Sequence, residues 1–163
     1  MRLLLIPAFA IFIFIQFGSR AGAPLGVHAA FTPGDGTSFA GPRVFRNGVE
    51  ESIRLAPGDV VGATSGSGST LELGGGRLAL EPGARAAVAS LMPPRVRMIG
   101  GRAHVSGRLR VVTAHGILDL ESGSADLTLG DQGLTVTLRV GEASLISPDG
   151  QFELVPGKAH RSQ

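Results

Sequence analysis

Ala125-Asp126-Leu127-Thr128-Leu129, then a Gly130 to Gly133 break, then Leu134-Thr135-Val136-Thr137-Leu138-Arg139-Val140: this stretch decides the fold. Apolar and polar residues alternate on both sides of the break, and a period of two sets one face of an extended strand in a core and the other in water. The same alternation occurs in Thr70-Leu71-Glu72-Leu73, Arg77-Leu78-Ala79-Leu80 and Arg95-Val96-Arg97-Met98. Between these runs stand turn-forming pairs, among them Pro57-Gly58, Gly74-Gly75-Gly76, Pro82-Gly83, Gly100-Gly101, Asp149-Gly150 and Pro156-Gly157. No segment keeps the apolar spacing of an amphipathic helix beyond a turn or two.

Composition agrees with an all-β fold of short antiparallel strands and tight Pro-Gly or Gly turns. The 25 Gly and 10 Pro disfavour long helices. With 43% apolar and 17% charged residues, the 163-residue chain can bury one core, made of Val, Leu, Ile and Ala because Tyr and Trp are absent. There is no Cys, which excludes disulfides, thiol chemistry and cysteine-ligated metal. The Pro-Gly pairs recur at intervals of roughly 25 residues or multiples of it, which also admits a solenoid-like stacked β architecture.

Leu3 to Phe17 carries no charge and only Gln16 is polar, a length that suits the apolar core of a signal helix better than a bilayer span of about 20 residues. Residues 1–21 read as a signal peptide cut after Ser19-Arg20-Ala21, or as an uncleaved anchor, with Leu3 to Phe17 then the only membrane contact. Residues 22–42, rich in Gly, Ala, Pro, Ser and Thr, read as a flexible linker, and residues 43–163 as the β domain. The expected location is periplasmic or secreted, or anchored to the inner membrane. Removing Arg2 and Arg20 with the leader leaves 13 bases against 13 acids, so the mature chain is close to neutral despite its arginine-weighted pI.

From Leu55 onward the sequence resembles the FecR domain family. The resemblance rests on Leu55-Ala56-Pro57-Gly58-Asp59-Val60-Val61, then Thr64, Leu71-Glu72-Leu73, Gly76-Arg77-Leu78-Ala79-Leu80 and Pro82-Gly83-Ala84. It continues through Leu109 to Thr113, Thr135 to Leu145 and Leu154-Val155-Pro156-Gly157-Lys158, about two thirds of the chain. It implies that Pro57, Gly58, Asp59, Gly83 and Gly157 are structural turn residues. Where that family has Gly-Thr-x-Phe, this chain has Gly123-Ser124-Ala125-Asp126, which predicts a repacked core there. Only Met1-Arg2 precede the apolar run, so only the family's extracytoplasmic module carries over.

Charge is segregated. Between Glu81 and Asp119 no acid occurs, but Arg85, Arg95, Arg97, Arg102, Arg108 and Arg110 do; from Asp119 to Glu153 the acids dominate. Either basic and acidic strands pair side by side, or the arginines dock an anionic partner. Arg95, Arg97, Arg102, Arg108 and Arg110 are the candidate binding residues. The Gly62 to Gly76 stretch lacks the Gly-Lys-Ser/Thr ending of a phosphate loop, and His104, His115 and His160 lack metal-ligand spacing. There is no Gly-x-Ser-x-Gly elbow, and the expected domain has few aromatics for stacking bases. The expectation is therefore a non-catalytic module with no cofactor, no metal and no nucleic-acid ligand. Its partner is an envelope protein, or alternatively an anionic or cell-wall polymer bound by the Arg85 to Arg110 segment.

Overall fold

The computed structural model describes residues 29–32, 38–40, 53–63 and 68–163, and for residues 29–32, 38–40, 53 and 54 the backbone alone. The proposed leader lies outside these residues. Among the described residues, thirteen strands form one mixed, nearly all antiparallel sheet. They are β1 (Ala29–Thr32), β2 (Ser38–Ala40), β3 (Ile53–Leu55), β4 (Val60–Gly62), β5 (Ser69–Leu73), β6 (Gly76–Leu80) and β7 (Arg85–Ser90). There follow β8 (Arg95–Gly107), β9 (Leu109–Thr113), β10 (Gly116–Gly130), β11 (Gly133–Ser147), β12 (Gly150–Glu153) and β13 (Ala159–Ser162).

Three strands are not short: β8 has 13 residues, and β10 and β11 have 15 each. Each changes partners along its length, which divides the sheet into two layers. In the first, β6, the second half of β8, the second half of β10, the first half of β11 and β13 lie side by side, with β5, β1 and β3 beyond β6. In the second, the order is β2, β4, β7, the first half of β8, β9, the first half of β10, the second half of β11, and β12. Leu71, Leu78, Val105, Leu127 and Val136 of the first layer and Val61, Val88, Met98, Val111, Leu118 and Leu145 of the second form one buried cluster.

The bends fall at glycines that sequence alternation reads as turns. On β8 the buried positions are Val96 and Met98 before Gly100-Gly101, then Ala103 and Val105 after it. On β10 they change from Leu118 and Leu120 to Ala125 and Leu127, with register shifts at Leu120/Ser122 and Ser124/Ala125. Each strand thus shifts from even to odd, and an extra residue in a bulge has that effect. Gly123 and Gly141 face each other across β10 and β11 with φ of +91° and +99°. Their backbones approach so closely that a Cβ at Gly123 would lie 1.9 Å from the Val140 carbonyl oxygen.

The stacked coil suggested by the Pro-Gly interval is not what the described residues form. Only β8 and β9 pair in parallel, with Arg95 opposite Arg110, and the other ladders are antiparallel. The recurring pair instead marks one turn used three times. Asp59 N donates to the Ala56 carbonyl, Ala84 N to that of Glu81, and Lys158 N to that of Val155, while Gly58, Gly83 and Gly157 have φ of +95°, +84° and +79°. In each, the glycine N–H reaches another segment: Gly58 to Val88 O, Gly83 to Ala63 O and Gly157 to Leu138 O. Pro fixes the first central residue of such a turn and Gly supplies the positive φ of the second. Buried Asp59 closes the first turn by accepting from Ala56 N at 2.8 Å through Oδ2.

A Cβ at Gly58 would meet nothing within 4 Å, so Gly58→Ala costs backbone strain alone, about 1 to 2 kcal/mol. A melting curve should show a drop of roughly 3–8 °C for a domain of this size; an unchanged midpoint would contradict the turn.

The segment read as a flexible linker contains β1, which pairs with both β3 and β5, and β2, which pairs with β4. Two strands of the sheet thus fall within residues 22–42. Short four- and three-residue strands flanked by Gly and Pro leave little alternation to read, and ladder hydrogen bonds to longer strands supply what local preference lacks.

Candidate functional site

On the outer face of the second layer the ladders align a row of side chains. Arg95 of β8 lies opposite Arg110 of β9, Arg110 opposite Asp119 of β10, Asp119 opposite Ser144 of β11, and Ser144 opposite Glu153 of β12. A parallel row holds Ala87, Arg97, Val112, Ile117, Ile146 and Gln151. Arg95 and Arg97 project outward because Val96 and Met98 are buried; Arg108 and Arg110 do so because Leu109 and Val111 are. Alternation on a strand requires this division.

At one end of this face lies a cleft of about 640 Å³ lined by Arg95, Arg108, Arg110, Asp119, Glu121 and the Pro93-Pro94 turn, with Gly74 of the β5–β6 hairpin at its rim. The hairpin packs closely on the turn, since a Cβ at Gly74 would come within 2.8 Å of Pro94. Arg110 donates through Nε, at 3.0 Å, and through Nη2 to the same oxygen, Oδ2 of Asp119. Arg95 is half-buried, and its Nε is fully buried without a hydrogen-bond partner among the described residues. Arg108 is exposed.

The remaining sequence candidates lie elsewhere. Arg97 is exposed on the same face but outside the cleft lining. Arg102 follows the Gly100-Gly101 bend and is exposed on the first layer, beside Thr128 of β10. Arg85 lines a second depression of about 370 Å³ with Ile99, His115 and Asp131. The arginines that look continuous in sequence are thus distributed over three surfaces, because β8 passes from one layer to the other. Pro57, Gly58, Asp59, Gly83 and Gly157 occupy the turns described above and do not line this cleft.

Sequence reading missed Asp119, Glu121, Pro93 and Pro94 as parts of one site. A usable clue was present: a hairpin between β9 and β10 sets Arg110 against Asp119, so the switch from basic to acidic sequence becomes a cross-strand ion pair.

The first layer carries a separate polar network. Asp126 accepts from His104 Nδ1 at 2.7 Å and, through its other oxygen, from Arg139 Nε at 2.5 Å. Asp126 points outward between buried Ala125 and Leu127, so the residue standing in the resembled family's aromatic position is not a core residue here. Partial burial pushes its carboxyl pKa up, but hydrogen bonds from His104 and Arg139, with their charge, outweigh this and hold it below the ordinary 3.8. A depressed folded-state pKa stabilises the fold above the unfolded value, and that contribution is lost as pH falls through the folded value. Asp126→Asn should therefore lower the melting temperature slightly at pH 6 and leave it unchanged at the acid end. Equal loss at both pH values would contradict the ion-paired arrangement.

Comparison with family models gives no match, and comparison with curated proteins gives none either. Among solved structures, two crystal structures of a "putative anti-sigma factor" from Parabacteroides distasonis, at 2.50 and 1.65 Å, are similar to this chain. Each superposes with a TM-score of 0.54 at 17% identity, over 61% of this chain and 52% of that one. The chain thus matches about half the length of that protein, and at this identity the likeness is one of fold.

Proposed function

We propose that this chain is an exported, non-catalytic, FecR-like module that binds another component of the cell envelope through the outer face of the second layer. The observation that carries the reading is the cleft where Arg95, Arg108 and Arg110 meet, with Arg97 on the same face. Concentrated guanidinium groups on a rigid sheet suit recognition of oxyanions, because each offers a planar fork of donors held at fixed spacing. The fold likeness to a protein named as an anti-sigma factor supports a place in signalling over one in envelope assembly.

An acidic protein surface accounts for the face better than a polyanionic polymer does. Asp119 and Glu121 stand inside the cleft, and a chain of closely spaced phosphates would bring negative charge against both.

The test is retention from envelope extract by the wild-type chain and by a variant with Arg95, Arg97, Arg108 and Arg110 all changed to Gln. Wild type should retain a component at low ionic strength, where exposed charges are least screened, and the variant should lose it. The variant should stay folded, since the half-exposed Arg110–Asp119 pair contributes only about 0.2–1 kcal/mol. Retention of the same component by both proteins would contradict the reading.

A further inference from the structure

The cleft is more selective than a basic patch, and its residues indicate which anion it takes. Arg110 is already engaged, with two of its nitrogens on one oxygen of Asp119. Arg108 and Glu121 lie one step beyond the Leu109–Leu120 pair of the same ladder. Arg95 differs from both: it sits beside Arg110 with no acid opposite it, and its Nε is buried and unpartnered among the described residues. Arg95 is also only half-buried, so an oxyanion against the accessible part of its guanidinium would be less screened by water there than at a fully exposed arginine.

The charge balance limits the ligand. Three guanidinium groups and two carboxylates line the cleft, leaving one positive charge for an occupant to neutralise. One carboxylate satisfies that balance; a dianionic phosphate would leave surplus charge facing Asp119 and Glu121. The walls are not wholly polar, because Pro93 and Pro94 contribute apolar surface. At about 640 Å³ the cleft also exceeds what a bare carboxylate fills and lies in the ordinary size range of ligand sites.

On the basis of the binding-module reading above, we infer that the cleft holds one carboxylate of an acidic peptide segment, with Arg95 and Arg108 on the carboxylate and an apolar neighbour of that residue against Pro93 and Pro94. Arg110 is a positioning residue, held by Asp119 and setting the place of Arg95 beside it.

Fluorescence anisotropy of the full chain with a fluorescein-labelled peptide of alternating leucine and glutamate tests this. The peptide should bind at low ionic strength, and its glutamine counterpart should not. Arg95→Gln and Arg108→Gln should each weaken binding at least about tenfold, while Arg102→Gln, on the other layer, leaves it unchanged. Arg95→Lys, which keeps the charge but loses the fork, should fall between wild type and Arg95→Gln, and melting curves establish that each variant is folded. Polyphosphate should compete less well than free peptide at equal charge. The inference is overturned if the peptide does not bind, if the glutamine peptide binds equally, if Arg102→Gln weakens binding as much as Arg95→Gln, or if polyphosphate competes better. Peptide binding with nothing retained from envelope extract would sink the envelope reading and leave the cleft assignment standing.

Discussion

Gly123→Ala should abolish soluble, cooperatively folding protein. The new Cβ would sit 1.9 Å from the Val140 carbonyl oxygen and 2.7 Å from the Gly141 Cα, distances that only a backbone shift can relieve. Positive φ adds about 1 kcal/mol for any L side chain, and separating β10 from β11 at the bend would break the longest ladder in the sheet. The expected cost is on the order of 4 kcal/mol or more, a large share of the stability typical of a single domain. Gly157→Ala is the internal control. Its φ is also positive, at +79°, but a Cβ there meets nothing within 4 Å, so it should cost about 1 kcal/mol. Similar melting points for the two variants would show that close approach at the bend does not hold the layers in place.

The second large effect is expected one strand position from the ion-paired Asp126. Leu127 is 1% exposed, and Leu127→Ala should cost roughly 2–5 kcal/mol through lost burial and the cavity left behind. For a domain of this size that corresponds to a melting point lower by roughly 6 to 25 °C. Asp126→Phe should by contrast cost no more than about 1 kcal/mol, because it removes exposed ion pairs and leaves the core intact. A strand slipped by one residue would exchange the two outcomes, so the pair of variants reads the register directly.

The all-β class was legible because the alternation in Leu71 to Leu80 and Leu127 to Leu138 survives unbroken in β5, β6, β10 and β11. What alternation could not convey was strand length. Gly100-Gly101, Gly123 and Gly141 look like ends of strands, yet here they are bends inside them. A glycine signals only that the backbone needs a conformation other residues avoid; whether the chain reverses or bulges depends on partners distant in sequence. The Pro-Gly intervals suggested a coil because the same local turn recurs, and local chemistry sets a turn without fixing the topology around it.

The candidate site was half legible for the same reason. Arg95, Arg97, Arg108 and Arg110 alternate with Val96, Leu109 and Val111, so their common outward orientation followed from spacing. The separation of Arg102 from them did not, because it depends on the parity change at Gly100-Gly101. Nor could spacing disclose that Arg110 is occupied by Asp119 while the Nε of Arg95 has no partner among the described residues.

The central claim, that the partner meets the outer face of the second layer and not the first, is tested most directly by photocrosslinking in the native cell. A benzophenone side chain placed at Arg97 lies on the proposed face, and one placed at Arg102 lies on the other layer, although the two positions are close in sequence. A discrete adduct is expected from position 97 and none from position 102. No adduct from position 97, or the same adduct from both, would contradict it.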